Sequence, residues 1–393
     1  MSEFMEHPVS IAVVGSGYVG LVAAACFAEI GHKVVCVDND ESKVRTLREG
    51  GIPIHEEFLP ELLCRQRQGH IEFTTDLRMA TRAAEAIFIA VGTPQSESGS
   101  ADLSYVDAVA SEIARSIDSY KVIVEKSTVP VYTNEWIRRV IERNGVPKDL
   151  FDVTSNPEFL REGTAVVDFL HPDRIVIGVA SERAADLLRR IYEPLTSGSY
   201  YRSDGAVPGS CGPTSPPPIL QTSTKAAEII KHASNAFLAT KISFINAVAN
   251  ICEAAGADVE EVARGIGLDA RIGPKFLRAG VGYGGSCFPK DVAAFRNVAE
   301  LVGVDFELLR AVEKINEEQK QRFFQKVRSA LWTFRGKRIG VLGLAFKGGT
   351  DDIRESPALD VVRKLIQEEA IVTAYDPAAI ERTKELLPPS DYL

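Results

Sequence analysis

The sequence predicts an α/β protein in three parts: an N-terminal doubly wound parallel-sheet domain, a central region built on one long helix, and an incomplete second α/β unit at the C-terminal end. Three observations carry this. Short apolar runs alternate with helical patterns over the first half of the chain. One helical pattern then continues unbroken from about Ser223 to Ala255. A strand–helix–strand pattern from the N-terminal end recurs near the C-terminal end.

In order, apolar runs at Ile11–Val14, Lys33–Val37, Ala86–Ala90, Lys121–Glu125 and Arg174–Ile177 read as buried parallel strands with helices between several of them, giving a first domain at residues 1–196. Residues 197–222 turn to Gly, Ser and Pro, including Pro216-Pro217-Pro218, and read as a surface loop or mobile linker, longer than expected at this place. The central region, 223–334, opens with the long helix. Its apolar residues Ile229, Ile230, Ala233, Phe237, Ile242, Ile245, Val248 and Ile251 are spaced for one buried face, and Gly256 stops it. Further helices reach about Leu331, interrupted by a loop at Ile272–Pro289. A helix this long between two domains suits packing on a copy of itself, so a homodimer is expected. In residues 335–393, Arg338–Gly343 repeats Ile11–Gly15 and Ile371–Asp376 repeats Val34–Asp38. About 17 residues follow Asp376, whereas a full doubly wound domain needs roughly a hundred. The second unit therefore reads as partial, with weakened substrate affinity or stability expected.

Composition narrows the function. Over 393 residues, 45% are hydrophobic and 25% charged, the balance of a soluble globular protein. A formal net charge of −9 argues against a nucleic-acid surface. Met1–His7 carries acids rather than a basic flank, and the apolar stretch after it is broken by Gly15, Gly17 and Gly20, so neither a signal peptide nor a membrane span is read and a cytoplasmic location is expected. The six cysteines, Cys26, Cys36, Cys64, Cys211, Cys252 and Cys287, contain no CxxC pair, and the histidines show no metal-ligand spacing, so no metal is expected.

The first chemical signal is Gly15-Ser16-Gly17-Tyr18-Val19-Gly20, directly after a strand and opening a helix. Glycines allow a tight turn and close approach of a pyrophosphate, and the helix N-terminus offers unpaired N–H groups. Asp38 follows at the end of the second strand, where a carboxylate binds both ribose hydroxyls and repels a 2′-phosphate. The first domain is therefore Rossmann-like, with NAD favoured over NADP. Gly92-Thr93-Pro94 and Ser127-Thr128-Val129-Pro130 end two further strands at the same carboxyl edge; each threonine either faces the ligand or caps a helix.

The second signal is Val281-Gly282-Tyr283-Gly284-Gly285-Ser286-Cys287-Phe288-Pro289-Lys290-Asp291. Its glycines allow close substrate approach, and a base beside a thiol favours the thiolate, so Cys287 is a candidate nucleophile. Cys26, Cys36 and Cys252, on apolar elements, read as inert core residues. Asn156-Pro157-Glu158-Phe159-Leu160-Arg161-Glu162-Gly163 follows a strand, with Glu158 and Glu162 spaced to share a helical face unless they are merely solvated charges. Lys231 and Asn235 share a face of the long helix, where Lys231 is either functional or a snorkelling margin residue.

In order along the chain, Gly15–Gly20, Asp38, Gly92–Pro94, Ser127–Pro130, Asn156–Gly163, Lys231–Asn235, Gly282–Asp291 and Gly343–Ser356 resemble the UDP-glucose/GDP-mannose dehydrogenase family over nearly the whole chain. The resemblance implies a two-step oxidation of a sugar-nucleotide alcohol to a carboxylate, through a thiohemiacetal and a thioester on Cys287, with NAD as cofactor. It implies that Lys231 stabilises the oxyanion, that Asp291 and Glu158, with Thr128, position and activate water, and that Asn235 holds the reacting sugar. Glu158, Phe159, Leu160, Arg161, Glu162, Phe276, Leu277, Arg278, Ala279, Gly280, Gly284 and Lys347 match substrate positions, and Lys43, Thr93, Glu162, Lys290 and Arg354 match further NAD contacts. Arg271 matches an arginine that reaches the partner subunit's site. Phe288 in the cysteine loop favours UDP-glucose, giving UDP-glucuronate. GDP-mannose, another sugar nucleotide, or a catalytically impaired NAD-binding subunit are the alternatives.

Overall fold

The strands of the N-terminal half are short, β-branched and buried on both faces, which a parallel sheet covered by helices on either side satisfies. A computed structural model describes residues 8–66, 69–94, 102–209 and 215–387. Met1–His7, Cys211 with the middle of the Gly/Ser/Pro-rich segment, and the last six residues lie outside the described residues. The chain divides into two compact units, one ending at Lys231 and one beginning at His232.

The first unit runs β1 (Ser10–Val14), α1 (Tyr18–Glu29), β2 (Lys33–Val37), α2 (Glu41–Glu49), α3 (Leu59–Gln66), β3 (Ile71–Thr74), α4 (Leu77–Ala83), β4 (Ala86–Ile89), α5 (Ser104–Ala114), β5 (Lys121–Glu125), α6 (Thr133–Arg143), β6 (Phe151–Ser155), α7 (Ala165–Leu170), β7 (Ile175–Gly178), α8 (Glu182–Thr196) and β8 (Ile219–Thr222). The sheet order is β3-β2-β1-β4-β5-β6-β7-β8, parallel throughout except at β6/β7. The order reverses between β1 and β4, the crevice where doubly wound sheets bind ligands. Alternation along β1 splits the core. Ile11 and Val13 pack with Phe27, Leu62 and Leu188 on one face, while Ala12 and Val14 pack with Ile113 and Ile137 on the other. Each such fully buried Leu, Ile or Phe stabilises the fold by roughly 1.5–3 kcal/mol.

β3, β6 and β8 were absent from the strands read individually in the sequence. They are short, and β8 lies at the sheet edge in the Gly/Ser/Pro-rich region. That region is anchored in its described part. Tyr200 is fully buried and its hydroxyl accepts the Val207 N–H at 2.8 Å, while His171 stacks on Tyr201. Two aromatic side chains outweigh the linker-like composition around them.

α9 (Thr224–Ala255) crosses from the first unit into the second and ends at Gly256, φ 74°. It bears out the expected buried face in part, with Ile245 fully buried, and corrects the rest. Phe237 is 65% exposed and Ile251 67%, with Ile229 and Phe244 also exposed, whereas Glu228, Lys231, His232, Asn235, Ser243 and Asn246 are buried. Polar contacts such as Ser243 Oγ donating to the Val312 carbonyl at 3.1 Å claim the inner face and turn an apolar stripe outward.

The second unit continues with α10 (Val259–Gly267), α11 (Phe288–Leu301), α12 (Glu307–Leu331), β9 (Arg338–Leu342), α13 (Pro357–Gln367), β10 (Ile371–Tyr375) and α14 (Ile380–Leu386). β9 and β10 form a two-stranded parallel sheet over a core of Phe324, Phe334, Leu344, Leu359, Val362 and Leu365. The sequence repeat is a structural one. The Gly343 N–H donates to the Tyr375 carbonyl as Gly15 does to Val37, and the Leu344 N–H donates to Asp376 Oδ2 at 2.8 Å as Ser16 does to Asp38. No helix among the described residues is long and apolar enough to cross a membrane.

Candidate active site

In the first unit, the glycine turn forms because β1 must enter α1 within three residues at the crevice. Gly15 has φ 102°, and a Cβ there would stand 2.6 Å from the Ala90 carbonyl oxygen; at Gly20 a Cβ would overlap the Gly15 carbonyl oxygen. Gly17 differs. It caps α1, and nothing lies within 4 Å of where its Cβ would be, so open space stands before the helix N-terminus. This is room for a phosphate against backbone N–H groups.

Asp38 stands at the tip of β2. Its Oδ2 accepts from the Ser16 N–H at 2.8 Å and the Ser16 hydroxyl at 2.6 Å, and pairs with Lys43 Nζ at 3.3 Å; Oδ1 accepts from the Asp40 N–H. Burial pushes its pKa up, but the Ser16 and Asp40 hydrogen bonds and the Lys43 charge outweigh this and hold it below the usual carboxylate value. Asp38 is thus an anion that also ties the glycine turn to β2. Val19 lies in the first turn of α1. The Tyr18 hydroxyl donates to buried Glu56, which also accepts the N–H groups of Gly163 at 2.8 Å and Ala165 at 2.6 Å. Burial and the Glu56 hydrogen bond raise the Tyr18 pKa, and burial raises that of Glu56 despite its hydrogen bonds. Thr93 Oγ1 donates to the Thr128 carbonyl at 2.8 Å, joining the tips of β4 and β5.

The Asn156–Gly163 segment is irregular, not the helical turn its spacing suggested. Pro157 disfavours helix before it, and Asn156 is held by Lys126, Tyr192 and the Val176 carbonyl. Glu158 and Glu162 are both buried. Glu158 Oε1 pairs with Lys231 Nζ at 2.8 Å, their side chains 4% and 5% exposed, and Oε2 accepts the Leu160 N–H at 2.6 Å. Burial pushes the Glu158 pKa up; the Lys231 charge and hydrogen bond, the Leu160 N–H and the Lys126 charge together bring it below the usual value. Lys231 is therefore a buried ion-pair partner and not a snorkelling residue. Phe159 lies under Arg174, 3.6 Å from its ring centre, and exposed Arg161 pairs with Asp168.

In the second unit, Cys287 is the N-cap of α11, the last residue of the irregular segment 268–287 that interrupts the helices as expected. A helix N-terminus stabilises negative charge at a thiolate. Its Sγ lies 3.5 Å from Ser286 Oγ. Asp291 sits one turn on, buried, with Oδ2 accepting Asn235 Nδ2 at 2.5 Å. Its Oδ1 has no hydrogen-bond donor among the described residues, the Lys290 ammonium lying 3.7 Å away.

The glycines before Cys287 serve the protein's own packing. A Cβ on Gly284 would overlap the Glu355 carbonyl oxygen, and one on Gly285, φ 84°, would stand 2.7 Å from the Phe346 ring. The Gly285 N–H donates to the Arg354 carbonyl, and Asn316 brackets Tyr283 through both its N–H and carbonyl. Gly280 is clamped by Asn246 and Gln319. Phe276, φ 65°, meets Phe288 edge-on; Leu277 is buried, Ala279 half-buried and Arg278 exposed. Lys347 is exposed, Arg354 pairs with Asp352, and Arg271, 89% exposed, pairs with Asp269.

The sequence reading missed Glu56, Lys126, Asn246 and Asn316. Only Lys126 carried a signal, adjacent charges at the end of a buried strand.

An opening at a strand-to-helix glycine turn, with an anionic Asp at the next strand tip, defines a dinucleotide-binding domain. Residues 9–196, 225–318 and 340–391 match, in turn, the NAD binding, central and UDP binding domains of the UDP-glucose/GDP-mannose dehydrogenase family. The chain belongs to this family. It is 48% identical to UDP-glucose 6-dehydrogenase TuaD of Bacillus subtilis (strain 168) over 96% of this chain and 78% of that protein. It is 46% identical to a UDP-glucose 6-dehydrogenase of Rhizobium meliloti (strain 1021) over 96% of this chain and 84% of that protein. A solved UDP-glucose dehydrogenase from Pyrobaculum islandicum superposes with a TM-score of 0.89 at 41% identity, covering 97% of this chain and 85% of that one.

Proposed function

We propose that this protein oxidises UDP-glucose to UDP-glucuronate, with Cys287 as covalent nucleophile. The observation that carries the reading is a thiol on the N-cap residue of α11 with a buried carboxylate oxygen of Asp291, lacking a hydrogen-bond donor among the described residues, one helical turn away. The similar proteins named as UDP-glucose 6-dehydrogenases support the choice of sugar nucleotide. Phe288 agrees with it.

NAD, when bound, accepts a hydride in each of two oxidations. Gly15, Gly17, Gly20 and Asp38 would hold it: the open space at Gly17 would take the pyrophosphate and Asp38 the ribose hydroxyls. Loss of hydride and proton from the C6 alcohol gives an aldehyde, whose carbon has no second hydride to give until Cys287 makes it tetrahedral. The Cys287 thiolate attacks, and the thiohemiacetal oxygen carries the developing charge that the Lys231 ammonium stabilises. Loss of the second hydride leaves a thioester. Water then attacks its carbonyl, Asp291 takes the water's proton, and the thiol leaves as the carboxylate forms. Glu158, already anionic and bound to Lys231, is better suited to orient that ammonium than to act as base. Asn235 orients Asp291 while contacting the sugar, and Thr128 helps to place water.

We further infer a homodimer through the apolar stripe of Phe237, Phe244 and Ile251 on α9, too large an exposed apolar set for a lone helix face. Arg271 then reaches the partner's site. The division at 1–196, 223–334 and 335–393 is the corresponding functional one, and a cytoplasmic location suits phosphorylated reactants.

The test is a panel of UDP- and GDP-sugars followed for NADH. UDP-glucose should give two NADH per sugar and UDP-glucuronate as product. One NADH per sugar, insensitivity to thiol alkylation, or acid formation by Cys287→Ala would overturn the reading.

A further inference from the structure

At the tip of β5 the chain buries an ammonium that the reaction above does not use. Lys126 is almost wholly inaccessible, beside equally buried Glu125. Burying an ammonium is costly unless other charges and hydrogen bonds compensate, so its surroundings show what it serves. Its Nζ donates to Asn156 Oδ1 at 3.1 Å and lies 3.4 Å from the Asn156 carbonyl oxygen. The same Oδ1 accepts the Tyr192 hydroxyl at 2.6 Å, and Asn156 Nδ2 donates to the Val176 carbonyl at 2.9 Å. Asn156 is thereby held at the base of Asn156-Pro157-Glu158, two residues from the carboxylate that pairs with Lys231.

We propose that Lys126 is a positioning residue for the Glu158–Lys231 pair: through Asn156 it fixes the segment that carries Glu158, and its buried charge, acting on that carboxylate, leaves more of the Lys231 charge for the reacting oxygen. This rests on the reading of the reaction given above. The Lys126 charge acts on Glu158 beside that of the paired Lys231, so the carboxylate neutralises each only in part. Without the Lys126 charge, Glu158 is compensated by Lys231 alone, and the oxyanion competes with a full ion pair. The groups facing Lys126 are Glu125 on its own strand, Glu158 from the loop after β6, Lys231 on α9, Cys26 on α1, Tyr192 on α8 and the Phe169 ring on α7. Burial pushes the Lys126 ammonium down to about 8, against the pull of Glu158 and Glu125. The shared charge is therefore present at neutral pH and lost as pH rises through about 8.

The experiment measures kcat and KM for UDP-glucose and NAD between pH 6 and 10. In the wild type kcat should fall on passing through pH 8. Lys126→Met should lower neutral kcat by about tenfold, with both KM values within about twofold. Lys126→Arg, whose guanidinium stays charged, should hold its rate to higher pH. In a Glu158→Gln background the Lys126→Met loss should vanish, because the two act as a unit. An unchanged kcat and pH profile in Lys126→Met, or a loss that persists undiminished without Glu158, overturns the proposal. If neither Lys126 variant folds, the wild type decides: a kcat that does not decline between pH 7 and 9 overturns it. A wild type that does not oxidise UDP-glucose sinks the reading of the reaction, whereas an active wild type with an indifferent Lys126→Met sinks only this inference.

Discussion

Lys231 Nζ lies 2.8 Å from Glu158 Oε1 with both side chains buried, so neither charge is screened by water. Removing one partner strands the other. Lys231→Met should destabilise the fold by about 3–5 kcal/mol and lower kcat by more than tenfold, read by denaturant unfolding and NADH formation.

The same pair sets an acid limit. The folded Glu158 pKa lies below its unfolded value of 4.5. The stability it contributes is present above that value and lost as pH falls through the lower folded pKa. Stability should therefore drop more steeply below about pH 4.5 in the wild type than in Glu158→Gln, as measured by urea unfolding across pH 3–7.

Cys287→Ser removes the thiol while keeping a small side chain at the N-cap position of α11, where Cys287 makes no capping hydrogen bond. Acid formation should fall by about three orders of magnitude or more, with the melting temperature unchanged. Product chromatography and calorimetry check the two halves separately.

Two glycines predict opposite phenotypes. Gly17→Ala meets nothing within 4 Å and should fold normally while NAD affinity falls at least tenfold. Gly284→Ala forces a methyl group onto the Glu355 backbone and should cost about 1–3 kcal/mol, with activity lost through misfolding of the second unit. Titration of NAD binding beside thermal unfolding separates them.

Phe237→Glu combined with Phe244→Glu should leave the fold intact and give monomers, since both side chains already face outward. Light scattering after size exclusion reads the mass directly. A wild type that is itself monomeric would rule the proposed dimer out.

The sequence by itself determined what local rules govern. A glycine turn after a strand needs its glycines for backbone geometry whatever surrounds it, so Gly15–Gly20, Asp38 and their repeat at Gly343 and Asp376 were legible. The long α9 and its stop at Gly256 were legible for the same reason. What faces what was decided by tertiary structure. The apolar spacing of α9 pointed to a buried stripe, and Ile245 is buried as expected, yet Lys231, Asn235 and Ser243 share the inner face through polar contacts and Phe237 and Ile251 lie outside. Glu158 and Glu162 had helical spacing, but Pro157 and the grip on Asn156 made an irregular loop that sends Glu158 to Lys231. Gly284 read as room for substrate and proved to be room for Glu355, more than seventy residues later. Spacing encodes the period of an element, while burial depends on which distant residues arrive to meet it.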